Sequence, residues 1–530
     1  MRLVAWVPAT MLALGAATTQ LARSDDQNSV IATTSAMPTV ETPQSPQPAW
    51  QSPGVSTYYL DSVLGDDTRD GLSPATAWRT LGKVNAGVFA PGDKILLKTG
   101  SVWNNEQLYP KGSGADGKPI TIDSYGDGPK PVIYDNMHDE AAVQFINQQY
   151  WEINNLEITN DNDFSRTTDK GHYVGILLTI EKSGSVYHHL YIRNCYIHDV
   201  DGDPNYSGAD DKTSGGISGR IHAAASGPTG HYEDIRIENN KIERVSRTGI
   251  CLFGDAKGMG ESRDQYSRNL HLSGNTIERP AGDAIILAYV NDALVEHNVV
   301  MRAVDRSTAG CAGVWGWYIK NVVYQFNECA YITKARWDGE AWDFDYGNVN
   351  VTYQYNYSHD NKTGWLLMMA NPPGVNLVAR YNISANEAVG YGQGPQLSAA
   401  IYNNTFYHDK PLEPRSDLNS FPAGVAKAYN NLFYECPGLG SFRKGSDHDY
   451  NAYYNSGGDH GEAHAVTADP MLAGLLPSGS PGDGLATCDI FRLKPGSPLT
   501  GAGLVMPNPG RRDFFGNPLP SASPSIGTSQ

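Results

Sequence analysis

Asp343 and Asp345 alternate with Trp342 and Phe344 in a short run that reads as a β-strand, although Asp is depleted in strands. Side chains two apart on a strand share a face and sit roughly 6.5–7 Å apart. That separation suits a pair of carboxyl groups working across a glycosidic bond, in either the retaining or the inverting manner, with inversion favoured because both project from one rigid strand. Two close carboxylates also repel, which raises one pKa and leaves a protonated acid available near neutrality. Glu340 and Asp338 precede this strand and add acidic groups; Lys334, Arg336 and Trp337 lie just upstream, and His359 follows in Ser358-His359-Asp360. Trp315 and Trp317, flanking Gly316, offer indole faces on which the apolar side of a sugar ring can lie. With Trp337 and Asp283 they are the substrate-binding candidates.

Elements that could position these residues are legible in the segments around them. Aligning short strands on their Gly or Ala entries places Ile250, Ile285, Val314, Trp342 and Trp365 in one inward column. Alternation then sends Cys251, Ile286, Trp315, Asp343 and Leu366 outward, with Phe253, Ala288, Trp317, Asp345 and Met368 beyond them. Leu252, Leu287 and Phe344 form a second interior column in which Gly316 leaves a gap for a neighbouring large side chain to fill. Neighbouring strands lie about 4.8 Å apart, so an indole and a carboxylate one strand apart can address the same sugar. The outward face is expected to be open to solvent.

The reason to stack these strands is a ladder of asparagines: Asn240, Asn275, Asn298, Asn327, Asn356, Asn382, Asn404 and Asn431. Their spacing runs from 22 residues (Asn382 to Asn404) to 35 (Asn240 to Asn275), with apolar alternation before each one. A near-constant short period with insertions is the pattern of a solenoid whose surplus residues sit in loops. Asn suits the bend between strands because it tolerates left-handed backbone and its amide can bond to the next copy. The expected fold is all-β, a parallel β-helix of about ten rungs with a short helical N-terminal cap.

The segments Tyr58–Leu81, with Gly65-Asp66-Asp67 and Asp70-Gly71-Leu72-Ser73-Pro74, then Pro91-Gly92-Asp93 and Gly117-Lys118-Pro119-Ile120, resemble the entry rungs of secreted right-handed parallel β-helix proteins of the pectate-lyase-like superfamily. Phe491–Pro498 and Asp513–Pro518 with Ile526-Gly527 resemble that group's closing segment, so the resemblance spans roughly residues 57–528. It implies a carbohydrate partner and an active face on one parallel sheet. It leaves the chemistry open, because lyases, hydrolases, epimerases and adhesion modules share the fold. The first reading is a glycoside hydrolase using Asp343 and Asp345. The alternative is a polysaccharide lyase, with Lys334, Arg336 or His359 as base and the acids as calcium ligands; a third reading is a non-catalytic glycan-binding module.

Composition sets the remaining bounds. A formal charge of −17 over 530 residues excludes a nucleic-acid footprint. Residues 1–23 read as a signal peptide, 24–55 as a Ser/Thr/Pro-rich linker and 56–528 as a single β-helix domain. The protein is accordingly expected outside the cytoplasm, extracellular or periplasmic, as a monomer without membrane attachment once the leader is removed. No cofactor is required by the hydrolase reading. Asp199, Asp201 and Asp203 alternate as calcium ligands do but lack the glycine and glutamate of an EF-hand loop. Six cysteines show no metal-binding spacing, and Cys311 with Cys329 is the nearest pair for a disulfide if the thiols are not simply buried.

Overall fold

The computed structural model describes residues 50–161, 171–182, 184–205, 212–222, 230–252, 254, 266–333, 338–369, 374–389, 391–392, 399–409, 427–436, 439, 447–457, 460–474 and 482–530. They wind into a parallel β-helix whose strands stack in sheets of 14, 13 and 9 members, with a further three-stranded sheet at the start. One turn shows the plan: Lys320–Gln325 lies in the 14-stranded sheet, Glu328–Ala330 in the 13-stranded sheet and Glu340–Phe344 in the 9-stranded sheet. Every named pairing between neighbouring turns is parallel, as in Val322 with Val351 and Cys329 with Ser358. Buried side chains such as Tyr324, Tyr353, Trp342 and Phe344 fill the interior.

Asparagines stand at the corner between the 14- and 13-stranded sheets and carry the stack. Asn327 donates from its backbone N–H and its Nδ2 to Asn356 Oδ1, each at 3.0 Å, and also from Nδ2 to the Val295 carbonyl at 2.9 Å. Its own Oδ1 accepts the equivalent pair from Asn298. The chain of bonds starts at the Cys195 N–H on Asn240 and extends past Asn431 to Asn451, which the sequence pattern did not include. Glu462 ends it by accepting from the Asn451 N–H at 3.0 Å and Nδ2 at 2.8 Å. The left-handed residue at this corner is the one before each ladder Asn, including Phe326, Tyr355 and Tyr381, not the Asn itself. Stacking offsets that backbone cost for the aromatics: the Phe326 and Tyr355 rings lie 5.1 Å apart at 12°.

The resembling end segments are accounted for by their hydrogen bonds. In the first, Asp67 accepts from the Arg79 N–H and from the Thr80 hydroxyl, and Thr80 caps the short helix Leu81–Asn85. Asp93 of Pro-Gly-Asp is buried and accepts from the Ser56 and Ala90 N–H groups. The folded body begins earlier than residue 56, since the strand Trp50–Gln51 pairs with Gly87–Val88 and the Trp50 indole packs on Trp78 and Phe89. At the other end, Phe491, Leu499, Phe514 and Ile526 cover Tyr357, Ile383 and Tyr407 of the 13-stranded sheet. All six cysteines are buried free thiols, so the Cys311–Cys329 bridge does not form. Among the described residues no helix is long and apolar enough to cross a membrane.

Candidate active site

Backbone pairing in the 9-stranded sheet sets the columns from which the site is built. Ile250, Ile285, Val314 and Trp342 are successive partners, as are Cys251, Ile286, Trp315 and Asp343. Leu252, Leu287, Gly316 and Phe344 form the third column. Phe344 is fully buried, and a side chain at Gly316 would collide with the Leu287 carbonyl while Ile319 packs against the bare Cα. Ile319 is therefore the residue that fills the gap. The next strand is shifted by one from the sequence alignment: Leu366, not Trp365, pairs with Trp342, and Met368 pairs with Phe344. Entry glycines fail as a register mark there because Gly364 pairs with Glu340, two positions before Trp342.

The outward face of this sheet is covered rather than open. Asp343 is 4% exposed and Asp345 7%. Cys251, Ile286, Ala312 and Trp315 make an apolar cluster of their own on the outer side, with Trp317 against it. The Trp315 and Trp317 rings lie 5.3 Å apart, tilted by 34°. Asp345 follows directly on Phe344, whose partner is Gly316, and so comes alongside Trp317; its Oδ1 accepts from the Tyr346 N–H at 2.6 Å. Asp343 Oδ1 is buried without a hydrogen-bond partner.

Burial dominates the electrostatics. It drives the Asp343 carboxyl far above the carboxylate range, and the nearby charges of Asp345, Asp338 and Glu340 push in the same direction. Asp345 is raised to about 7, again chiefly by burial, against the lowering effect of the Tyr346 N–H. Asp338, which is half-buried, is raised to about 6, with burial first and Lys212 acting in the opposite sense. Glu340 is 1% exposed on the same strand as Asp343. The structure thus gathers Asp338, Glu340, Asp343 and Asp345 into one desolvated acidic group.

Other candidates take different places. Asp283 is fully buried and is not presented to a ligand: its Oδ1 accepts from Trp315 Nε1 and the Ala312 N–H, both at 2.9 Å, and its Oδ2 from Lys212 Nζ at 2.9 Å. His359 belongs to the 13-stranded sheet, away from this face, and is fully buried between Glu328 at 3.1 Å and Asp360 at 3.0 Å. Burial lowers its pKa, but the two carboxylates override that and hold it at about 9, so it stays charged and cannot act as a base near neutrality. Lys334, Arg336 and Trp337 lie outside the described residues. Asp199 is occupied by Arg244, at 2.7 and 2.8 Å, and by His198, and Asp203 caps the Asn205 N–H. Groupings of three ligand atoms within 4.8 Å of one another occur among the described residues at Asp135, His138 and Asp139 and at Glu328, His359 and Asp483, not at Asp199–Asp201–Asp203.

Sequence reasoning missed Lys212 and Gly310. Lys212 Nζ reaches Asp283 and, at 2.7 Å, the Gly310 carbonyl, across 71 and 98 residues of chain. A Cβ at Gly310 would lie 2.5 Å from Asp338 Oδ2, so a larger residue there would displace that carboxyl group. Both residues arrive from loops between rungs, where no periodicity marks a position.

The arrangement defines a parallel β-helix with a buried acidic group beside paired indoles on one sheet. No family model matches the chain. It is 30% identical over 582 aligned residues to the lacto-N-biosidase of Bifidobacterium longum subsp. longum, a match covering 89% of this chain and 36% of that protein. The chain therefore spans about a third of the length of this relative. The crystal structure of the GH136 lacto-N-biosidase from Eubacterium ramulus superposes with a TM-score of 0.60 at 25% identity, over 70% of this chain and 67% of that one. Its selenomethionine derivative gives 0.59 at the same identity, over 72% and 68%.

Proposed function

We propose that this protein is an exported glycoside hydrolase acting on an oligo- or polysaccharide, with its reaction centre at Asp338 and Asp345. The observation that carries the reading is the desolvated acidic group on the 9-stranded sheet, set against Trp315 and Trp317. Asp345 keeps its proton to about pH 7 and supplies the general acid; Asp338, raised less and more exposed, is ionised first and serves as the base or nucleophile. Asp343, two positions before Asp345 on the same chain segment, has its proton affinity raised further by burial and by the neighbouring acids, which favours its neutral form beside the reacting pair. Likeness to two lacto-N-biosidases makes lacto-N-biosides the first substrates to test. The proposed chemistry uses protein carboxylates and water, with no metal.

The test is release of 4-nitrophenol from a 4-nitrophenyl lacto-N-bioside, run beside a panel of other aryl glycosides and natural glycans read by mass spectrometry. Hydrolysis of any member, lost in Asp338→Asn and Asp345→Asn, supports the reading. Product carrying the ultraviolet absorbance of an unsaturated uronate would assign the site to β-elimination instead.

A further inference from the structure

We propose that Lys212 is a positioning residue of this site: its ammonium fixes the Trp315 indole through Asp283 and supplies the positive charge facing Asp338 and Asp345. The inference rests on the hydrolase reading above for its kinetic part, and on the protein alone for its titration part.

A lysine with a side chain only 13% exposed must find partners for an ammonium that has lost its water. Lys212 has two oxygen partners, Asp283 Oδ2 at 2.9 Å and the Gly310 carbonyl at 2.7 Å, and its Nζ lies 5.2 Å from the Trp315 ring centre. The same Asp283 holds the Trp315 indole N–H through its other oxygen. One carboxylate therefore ties the cation to the aromatic platform, and the indole cannot turn without breaking a buried hydrogen bond. Asp338 Oδ2 occupies the space where a side chain on Gly310, whose carbonyl Lys212 grips, would begin. Movement of Lys212 is thus coupled to both walls of the site.

A buried ion pair alone would be replaceable by apolar packing. What distinguishes this one is its surroundings. Asp283, Asp338 and Asp345 all feel the Lys212 charge, while Cys311 and Arg247 are the other titratable groups packed around it. Asp343 and Glu340 complete the acidic group on the neighbouring strand. A cation here lowers the proton affinity of Asp338 and Asp345, and Asp283 raises it. Removing Lys212 should therefore move both titrations to higher pH, and removing the Asp283 charge should move both to lower pH. A purely structural pair would move neither.

The experiment uses the full chain as wild type, Lys212→Met, Lys212→Arg and Asp283→Asn. Two readouts are taken: the infrared C=O band of protonated carboxyl groups against pH, and the pH profile of kcat and KM on 4-nitrophenyl lacto-N-bioside. Expected are an upward displacement of about one pH unit in Lys212→Met, a downward one in Asp283→Asn, a KM increase in both, and a near-wild-type profile in Lys212→Arg. Should Lys212→Met fail to fold, Asp283→Asn, expected to move the titration downward, and Lys212→Arg, expected to leave it in place, still test the inference. An active wild type whose variants keep the same titration and profile overturns this inference. A wild type inactive on every glycoside overturns the hydrolase reading, and the infrared titration then decides the role of Lys212 by itself.

Discussion

Asp345→Asn separates the energetic cost of the site from its chemistry. The Asp345 carboxyl titrates at about 7 in the folded chain against an ordinary value of 3.8. A folded-state pKa above the unfolded one means that the native state holds the proton more tightly. Its stabilising effect is complete below the unfolded value and is lost as pH rises toward 7. Between pH 5 and pH 7 that is two pH units at about 1.4 kcal/mol each, so wild type loses at most about 3 kcal/mol through this group. Asn cannot ionise, and its Oδ1 can still accept from the Tyr346 N–H. The variant should therefore gain on wild type by up to about 3 kcal/mol between pH 5 and pH 8, seen as a larger difference in denaturation midpoint at pH 8. Turnover should fall by orders of magnitude at both pH values, because the proton donor is gone. Equal stability differences at the two pH values would refute the buried, proton-holding carboxyl, and undiminished turnover would refute its role as acid.

Four further outcomes follow from the same geometry. The pH profile of kcat should be bell-shaped with its maximum between about 6 and 7, rising as Asp338 ionises and falling as Asp345 loses its proton, and a plateau extending to alkaline pH would contradict the assignment. Phe344→Ala should cost about 3–5 kcal/mol in chemical denaturation and lower turnover too, since Phe344 lies between the backbone positions of Asp343 and Asp345. Asn327→Ala removes both the acceptor for Asn298 and the donor to Val295, and should cost at least about 3 kcal/mol while leaving KM unchanged. Prolonged dialysis against EDTA should leave hydrolysis intact; loss of activity restored by calcium would bring a metal into the mechanism.

Most of the winding could be read from the chain because its periodicity is physical. A ladder asparagine has to meet its copy, and the interior column must alternate with the outer one, so Val314, Trp342, Trp315 and Asp343 could be aligned without coordinates. The alignment slipped at Trp365, where entry glycine and strand register part company. Covering of the outer face was not legible. Period-2 alternation says that Asp343 points away from the core, but not that it is nevertheless buried. His359 shows the same limit: its neighbours in sequence look polar, yet Asp483 and Gly484 of the closing segment lie against its pocket from more than a hundred residues away. Lys212 is the clearest case, a lone lysine in a loop whose meaning is wholly tertiary.

A solenoid is well suited to carry such a costly site. Its stability is close to a sum of rung and neighbour-interface terms, so a rung that holds desolvated acids can be offset by the rungs beside it without a change in overall packing. The strand bearing Asp343 sits in the turn between Asn327 and Asn356, where the ladder is unbroken on both sides. Behind that strand the interior is stiff: Tyr324 and Tyr353 stack at 4.5 Å and 9°, and the Tyr353 hydroxyl donates to the Asp343 carbonyl at 2.9 Å. The backbone of the acidic strand is thereby held from the inside while its carboxyl groups compete for protons on the outside. Fixed positions are what the chemistry demands, because a carboxyl group free to swing out to water would escape the desolvation that chiefly raises its proton affinity and on which the proposed acid depends.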